Sequence, residues 1–190
     1  MIRPARVPPR PLSGLAELLG VGRTDFIPNG PGRLTGVTLD SRQVRAGDLY
    51  AALPGEHTHG AAYCDQAVAA GAIAILTDPA GRDRAIRSGL PVFVVADPRA
   101  RLGEVASWIY GDPSHRMTMI GVTGTSGKTT TSYLAEAGLR AAGRETGLVG
   151  GVEIRIGAER VGSALTTPEA PDLQAPLAWS ARSRSAPSRS

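Results

Sequence analysis

The sequence predicts an α/β fold, organised as two successive units, in which strands alternate with helices. Short apolar runs bounded by Gly, Pro or charged residues recur between positions 34 and 95, as is typical of strands buried within a sheet. Helix-like segments separate these runs, so we expect a largely parallel sheet. A glycine-rich loop near position 121 then follows a further apolar run and precedes an amphipathic segment, which indicates a second α/β unit.

The first unit is expected to occupy residues 12–112, after a flexible, proline-rich leader at 1–11. A short helix over 13–20 is predicted because its leucines fall on one face and Ser13 can cap its start. The segments expected after it are a strand at 36–39, a strand at 49–53, a helix at 61–70 ended by Gly71, a buried strand at 72–77, a helix at 80–88, a buried strand at 91–95 and a helix at 99–110.

The second unit is expected to occupy residues 113–177, after a linker at 111–114. Its predicted elements are a strand at 117–122, a helix from Lys128 to about Ala142 stopped by Gly143, and a pair of strands at 147–156 and 159–165. Residues 178–190 differ in kind, because they are almost wholly Ser, Arg, Ala and Pro and cannot bury enough apolar area to offset their ordering entropy. They are interpreted either as a disordered tail or as an aberrant segment, in a chain whose sequence was lost near Leu177 by truncation or a frameshift.

The net charge of +4 and the pI of about 9.8 would suit a nucleic-acid-binding protein, but the basic residues are badly placed for that role. Three Arg lie in the first ten residues and three in the last thirteen, with no acid in either segment, so the remainder of the chain carries a net charge of −2. A nucleic-acid-binding body usually has a basic face of its own. We therefore expect no nucleic-acid partner.

Cysteine usage and hydropathy indicate a protein of the reducing cytoplasm. Cys64 is the only cysteine, so no disulfide can form within the chain, and this residue is expected to be a small buried hydrophobe. No run of 18 or more apolar residues is present, and the Arg-containing N-terminal segment lacks the apolar stretch of a secretory signal. Membrane insertion is therefore not expected.

The most informative stretch is a glycine-rich loop at 121–130, Gly-Val-Thr-Gly-Thr-Ser-Gly-Lys-Thr-Thr, between an apolar run and an amphipathic helix. This is the context of a phosphate-binding P-loop, in which glycines let backbone N–H groups surround phosphate oxygens at a helix N-terminus. Lys128 is placed to reach the β- and γ-phosphates of a nucleotide, and the Thr129 hydroxyl to ligate Mg²⁺. The loop departs from the general pattern at Val122, where a glycine is usual.

Lysine usage strengthens this interpretation, since Lys128 is the only lysine among the 21 Lys and Arg residues of the chain. A compact ammonium group acts as a point charge among phosphates, a role in which Arg is not equivalent. The alternative interpretation is a glycine-rich turn without a ligand.

Three motifs, in this order and spacing, resemble the Mur ligase family over about residues 34–177. The loop form Gly-Thr-Ser-Gly-Lys-Thr-Thr at 124–130 looks like that family rather than like GTPases or transporters. Upstream, Asp-Ser-Arg at 40–42 and the segment from Gly47 to Gly60 resemble the N-terminal domain of two kinds of member, which add the third amino acid or the final dipeptide to the UDP-linked peptidoglycan precursor. Downstream, Thr-Thr-Pro-Glu at 166–169 resembles the threonine pair of the third-residue enzyme.

The resemblance implies an N-terminal α/β UDP-sugar-binding domain followed by the start of a P-loop central ATPase domain, with Lys128 as the catalytic residue and Thr129 as the metal ligand. The ATP-binding residues it implies are Gly124, Thr125, Ser126, Gly127, Lys128, Thr129 and Thr130. The substrate-binding residues it implies are Leu39 and Ser41 at the uridine and diphosphate end, Glu56, His57 and Thr58 in the same pocket, and Thr166 and Thr167 near the reacting carboxylate.

Two of these assignments have structural alternatives. Asp40 and Arg42 either present Arg42 to a phosphate or form a pair that organises the turn. Thr166 and Thr167 either contact the muramoyl peptide or are ordinary polar residues at a strand end. The three histidines are too scattered along the sequence for a metal site and are expected in loops.

The family reaction implied by the resemblance is ATP-dependent amide formation, with ATP and Mg²⁺ as cofactors. The terminal carboxylate of the UDP-N-acetylmuramoyl-dipeptide attacks the γ-phosphate of ATP, and the amine of the incoming amino acid attacks the resulting acyl phosphate. The small-molecule partners are thus this dipeptide and an amino acid, and the enzyme is expected to be a cytoplasmic monomer. The chain as given is expected to be truncated and without ligase activity, because the family's acidic Mg²⁺ ligand, modified lysine and amino-acid-selecting domain have no counterpart in it.

Three other functions remain as alternatives. The first is a Mur ligase that adds the terminal dipeptide, and the second is a module that binds UDP-sugar and ATP without catalysis. The third is a free-standing P-loop kinase or NTPase, which would need an apolar strand ending in Asp or Glu after the P-loop helix; residues 144–177 offer none. The sequence does not identify the amino acid that would be added.

Overall fold

The computed structural model describes residues 3–4, 7–21, 32–157, 159–162 and 169–183. The chain forms two compact units, and the boundary between them lies between Asp112 and Pro113. In the described part of the chain, no helix has the length and apolar character needed to cross a membrane.

The first unit begins with a short antiparallel pair of strands, β1 (Arg10–Pro11) and β2 (Arg33–Leu34), and with helix α1 (Leu12–Leu19) between them in sequence. The helix forms where the leucine pattern predicts it, and Leu15 and Leu19 are buried. The predicted cap is wrong, because α1 starts directly after the extended Pro11 and no side chain caps it. Ser13 is therefore inside the first turn.

The core of the first unit is a parallel sheet of four strands, β3 (Gly36–Thr38), β4 (Asp48–Ala52), β5 (Ala74–Thr77) and β6 (Val92–Val94), in that spatial order. Helices α2 (Cys64–Ala69), α3 (Arg82–Arg87) and α4 (Pro98–Tyr110) alternate with the later strands. Every residue of the first three of these strands is buried, which is why their sequences are apolar runs rather than alternating ones. The predicted α/β class with a parallel sheet is confirmed.

Helices cover the sheet with closely packed side chains. On one face Tyr50 and Ile75 pack with the small residues Cys64 and Ala67 of α2. Cys64 is 2% exposed, as expected of a buried hydrophobe. Small side chains on the helix let it approach the sheet closely, which suits a core with few aromatic residues.

Parallel connectivity decides where functional groups can gather. Because all four strands run in the same direction, the segments that follow β3, β4, β5 and β6 leave the sheet at one edge. These segments carry most of the polar residues singled out in the first unit. We call this edge the carboxyl edge.

The second unit contains helix α5 (Lys128–Ala141), an antiparallel sheet of β7 (Gly147–Val149), β8 (Glu153–Ile156) and β9 (Glu159–Gly162), and helix α6 (Ala170–Ser183). Two strands were predicted after α5, but the structure has three, because a bend at 150–152 divides the first predicted strand into β7 and β8.

The strand predicted at 117–122 is not formed. Met119 and Ile120 are 48% and 61% exposed, and no strand of the described residues pairs with this segment. An apolar run becomes a strand only when a neighbour satisfies its backbone N–H and C=O groups. Local sequence therefore predicted the wrong conformation here.

Helix α6 crosses the position at which the unstructured tail was expected to begin. It continues from Ala170 through Ser183, with Pro176 inside it. Ala175, Leu177 and Ala178 are buried, and the helix packs against the turn at Pro113–Arg116. Because the apolar side chains of α6 have a surface to pack against, helical structure continues beyond Leu177.

Candidate functional site

The glycine-rich loop predicted to be a P-loop leads directly into the N-terminus of α5. Gly127 precedes the helix with φ of 76°, and Gly124 has φ of 153°, so both adopt conformations that residues with a Cβ rarely tolerate. The first backbone hydrogen bond of the helix runs from Thr131 N–H to the Gly127 carbonyl, 2.9 Å away. The N–H groups of the three residues before Thr131 therefore have no partner within the helix and are available to an anion.

The side chains of the loop lie on the same exposed turn. Lys128 folds back over the loop and donates its Nζ to the Gly124 carbonyl. Thr129 and Thr130 are exposed in the first turn of α5, and Thr125 and Ser126 are exposed in the loop. A carbonyl oxygen is a weaker partner than a phosphate for an ammonium group, so Lys128 can exchange this contact for a nucleotide.

A buried ionic cluster fixes the orientation of α5. Glu136 is 6% exposed and accepts hydrogen bonds from Arg155 Nη1 and Thr146 Oγ1, both 3.0 Å away. Arg155 also donates to Glu153, 2.6 Å away, and Glu153 accepts from the Tyr133 hydroxyl at 2.7 Å. The hydrogen bond from Tyr133 and then that from Arg155 lower the pKa of the Glu153 carboxyl. Sequence reasoning missed this cluster.

The cluster matters to the glycine-rich loop because the cluster holds α5, the helix that follows the loop. Two of its members belong to α5, and the others belong to or adjoin β7 and β8. An i to i+4 contact of Glu136 with Arg140, 3.6 Å long, continues the cluster along the helix. The signal in the sequence that could have indicated the cluster is the series of acids and bases along the helix and the strands after it, Glu136, Arg140, Glu153 and Arg155.

The first-unit residues predicted to bind a UDP-sugar all lie at the carboxyl edge. Leu39 directly follows β3, Ser41 lies two residues further along, and Glu56, His57 and Thr58 lie in the loop after β4. Leu39 is half-buried, and the three loop residues are exposed. Ser41 is only 7% exposed, and its Oγ donates to Gln66 Oε1, 2.7 Å away.

Asp40 and Arg42 form a pair with each other. The Asp40 carboxylate accepts from Arg42 Nε at 2.9 Å and from Nη2 at 3.0 Å, and Gln43 Nε2 donates to it at 3.1 Å. The Arg42 side chain, followed in importance by its backbone N–H, holds the pKa of Asp40 at about 2, against the opposing effect of burial. This geometry favours the interpretation in which the pair organises the turn.

The loop after β4 is closed at its base. Gly60 N–H donates to the Leu53 carbonyl at 2.8 Å, and the Tyr50 hydroxyl donates to the Gly60 carbonyl at 2.9 Å. Only the segment between Leu53 and Gly60 projects from the sheet, so the exposed residues of this loop start from a fixed position. Burial raises the pKa of the Tyr50 hydroxyl, which therefore remains a donor.

His59 ties this loop to the one after β5. Its Nδ1 accepts from Ala61 N–H at 3.0 Å, and its Nε2 lies 2.9 Å from Asp78 Oδ1, which also accepts from Gly81 N–H. Burial acts to raise the pKa of Asp78, but the hydrogen bonds from Gly81 and His59 outweigh it and the pKa is lowered. His59 was expected to be an ordinary loop residue, because a partner 19 positions away gives no local signal.

Two predicted site residues, Thr166 and Thr167, lie outside the described residues. Within the described ranges, no group of three or more His, Cys, Asp or Glu side chains is arranged to hold a metal ion. His57 and His115 are exposed.

Comparison with known families identifies both units. Residues 33–110 match the Mur ligase family, catalytic domain, and residues 122–185 match the Mur ligase middle domain. The two matches together cover most of the chain, and the second extends past Leu177, as α6 does.

Similar proteins carry consistent names. The UDP-N-acetylmuramoyl-L-alanyl-D-glutamate--2,6-diaminopimelate ligase of Streptomyces coelicolor is 58% identical over 173 residues, which are 91% of this chain and 33% of the relative. The UDP-N-acetylmuramyl-tripeptide synthetase of Leifsonia xyli is 46% identical over 180 residues, 93% of this chain and 34% of that protein. The chain thus spans about a third of the length of these relatives.

Solved structures agree on the fold. A diaminopimelate ligase of the same name superposes with a TM-score of 0.62 at 24% identity, covering 88% of this chain and 33% of the other. MurF from Acinetobacter baumannii superposes with a TM-score of 0.56 at 27% identity, covering 72% of this chain and 29% of its own. The resemblance seen in the motifs is confirmed: the chain belongs to the Mur ligase family.

Proposed function

We propose that this chain is part of an ATP-dependent ligase that adds the third amino acid to UDP-N-acetylmuramoyl-dipeptide during peptidoglycan precursor synthesis. The observation that carries the proposal is the 58% identity to a diaminopimelate ligase over 91% of the chain. The first unit would bind the UDP-sugar and the second would bind ATP. The protein would act in the cytoplasm as a monomer, without a nucleic-acid partner.

The second unit supplies the charge stabilisation that phosphoryl transfer requires. The free N–H groups at the start of α5 and the Lys128 ammonium would surround the β- and γ-phosphates as the substrate carboxylate attacks the γ-phosphorus. Lys128 would be the catalytic residue, because its ammonium group lies at the loop where negative charge would develop on the γ-phosphoryl group. The exposed hydroxyl of Thr129, an oxygen ligand of the kind that Mg²⁺ prefers, fits a metal site. When bound there, Mg²⁺ would neutralise phosphate oxygens.

The first unit would hold the nucleotide end of the dipeptide substrate at the carboxyl edge, where ligands usually bind open parallel sheets. Half-buried Leu39 offers an apolar surface to a uracil ring, and the loop of Glu56, His57 and Thr58 borders the same edge. Thr166 and Thr167 are proposed to contact the peptide near its reacting carboxylate.

The incoming amino acid is proposed to be 2,6-diaminopimelate, because the Streptomyces relative carries that name. A second candidate is a ligase that adds the terminal dipeptide, which the structural similarity to MurF favours. This second candidate is the weaker one, because 27% identity to MurF is well below the 58% identity to the Streptomyces ligase.

Binding calorimetry on the 190-residue chain tests the proposal. The chain should bind both UDP-N-acetylmuramoyl-L-Ala-D-Glu and ATP with Mg²⁺. Lys128→Met should weaken ATP binding at least about tenfold, since a charge-assisted hydrogen bond is worth roughly 1.5–3 kcal/mol, and should leave dipeptide binding unchanged. Arg144→Met removes the same charge from an exposed position beyond α5 and should leave ATP binding unchanged.

Two results would contradict the proposal. ATP binding by Lys128→Met as tight as that of the unmodified chain would remove the P-loop assignment. ATP binding without any binding of the UDP-linked dipeptide would instead favour a nucleotide-binding protein of another kind.

A further inference from the structure

The hydroxyl of Ser41 is already used inside the protein. Ser41 is 7% exposed, and its Oγ donates to Gln66 Oε1 over 2.7 Å. A serine hydroxyl has one proton, so this bond occupies the only donor of the side chain. Phosphate and diphosphate oxygens accept hydrogen bonds but do not donate them at neutral pH. Ser41 therefore cannot donate to a diphosphate while it holds Gln66.

Gln66 presents the donors that Ser41 lacks. Its side chain lies on the exposed surface of α2, and its carboxamide oxygen is held by Ser41. Among the described residues, its NH₂ group donates to no other side chain or carbonyl. A carboxamide with one end anchored loses little further rotational freedom when the other end binds a ligand. Ser41 thus fixes two N–H donors close to the end of β3.

The charges of Asp40 and Arg42 explain why a neutral donor such as the Gln66 amide would be useful at the carboxyl edge. The Arg42 guanidinium is bonded through Nε and Nη2 to Asp40, so the charges of the pair offset each other. A neutral amide in α2, which packs against the turn that follows β3, can donate to an anion without introducing a second cation. Gln66 contacts Ser41, which belongs to the segment that follows β3, so Gln66 lies at the carboxyl edge.

We propose that Gln66 is a substrate-binding residue that donates a side-chain N–H to a phosphate oxygen of the UDP-sugar, and that Ser41 is the positioning residue that orients it. The inference rests on the proposed function, since it names a contact within the proposed UDP-sugar site. It changes the role expected for Ser41 from direct contact to orientation.

Calorimetry with UDP-N-acetylmuramoyl-L-Ala-D-Glu on the full chain tests the inference. Gln66→Leu removes both donors and should weaken binding about ten- to a hundredfold, as expected for a lost hydrogen bond to a charged group. Gln66→Glu keeps the acceptor for Ser41 but faces the phosphate with a negative charge, so it should weaken binding further than Gln66→Leu. Glu17→Leu removes an exposed polar side chain of the same length from α1, which does not follow a strand of the parallel sheet, and should bind within about twofold of the unmodified chain.

A double-mutant cycle separates orientation from direct contact. Ser41→Ala should weaken binding by itself but should cause no further loss in a Gln66→Leu background, because Ser41 acts through Gln66. ATP affinity and the urea midpoint should be the same in Gln66→Leu and Glu17→Leu, which excludes a general loss of structure.

Each contrary result has a distinct meaning. If the unmodified chain does not bind the dipeptide, the proposed function fails and this inference fails with it. If the unmodified chain binds and Gln66→Leu binds equally well, only the inference is overturned. Equal losses for Gln66→Leu and Gln66→Glu would overturn the phosphate contact, and additive losses with Ser41→Ala would overturn the positioning role.

Discussion

Replacing Gly81 with alanine should destabilise the first unit through a steric clash at the carboxyl edge. A Cβ at this position would lie 2.2 Å from Thr77 Oγ1 and 2.5 Å from His59 Cε1, well inside normal contact distances. The backbone itself tolerates alanine, because φ is −83°. Neither neighbour can move freely: Thr77 is fully buried and donates to the Ala52 carbonyl at 2.8 Å, and the His59 ring is bonded at both nitrogens.

The expected cost follows from the contacts that must break. Turning the Thr77 hydroxyl away from Ala52 loses a buried hydrogen bond, which costs about 1–3 kcal/mol. Moving the His59 ring loses its partly buried bond to Asp78, which costs about 1 kcal/mol. Together these give about 2–4 kcal/mol, which should lower the melting temperature of a domain of this size by at least about 8 °C.

Gly103→Ala is the matched control. Gly103 lies inside α4, and an added Cβ would meet nothing within 4 Å. The same chemical change should therefore raise stability by about 0.5–1 kcal/mol, through better helix propensity alone. Thermal and urea unfolding of the full chain, followed by circular dichroism, measures both variants.

The reasoning would be refuted if Gly81→Ala unfolded at the temperature of the unmodified chain, or if it were stabilised as Gly103→Ala is. Dipeptide binding supplies an independent measurement. Since His59 ties the loop after β4 to the loop after β5, Gly81→Ala should also weaken binding of the UDP-linked dipeptide at a temperature where the protein is folded.

Two further predictions concern titratable groups. Burial raises the pKa of the Cys64 thiol to about 11, so at pH 8 it should react with a disulfide reagent at least about a hundredfold more slowly in the folded chain than in urea; equal rates would contradict the burial. Arg42→Leu should raise the pKa of Asp40 from about 2 toward its ordinary value of 3.8, measured by NMR titration of the carboxyl carbon, and an unchanged pKa would show that the pair is not responsible. Because the pKa of Asp40 is lowered by folding, its contribution to stability is present above about pH 4 and is lost as the pH falls through about 2, and the exposed position of Arg42 keeps that contribution small.

Most of the sheet of the first unit could be predicted because its signals are local. Each strand is an apolar run ended by a turn residue, and β3 to β6 lie within two residues of their predicted bounds. The same reasoning failed at 117–122, where the apolar run is present but no described strand pairs with it. It also misplaced the end of ordered structure, because α6 is stabilised by a turn at Pro113–Arg116 that lies far from it in the sequence.

The α/β class, the family and the glycine-rich loop before α5 could be predicted from the sequence alone, because each depends on residues close together in the chain. The loop needs only three glycines at intervals of three residues, Lys128 and the start of a helix. Tertiary structure alone decided which side chains meet at the carboxyl edge. Ser41 and Gln66 are 25 positions apart, and His59 and Asp78 are 19 apart, so no periodicity or spacing records either contact. They form because parallel strands bring the segments after them to one edge of the sheet, where the buried Ser41 hydroxyl and the largely buried Asp78 carboxylate need partners.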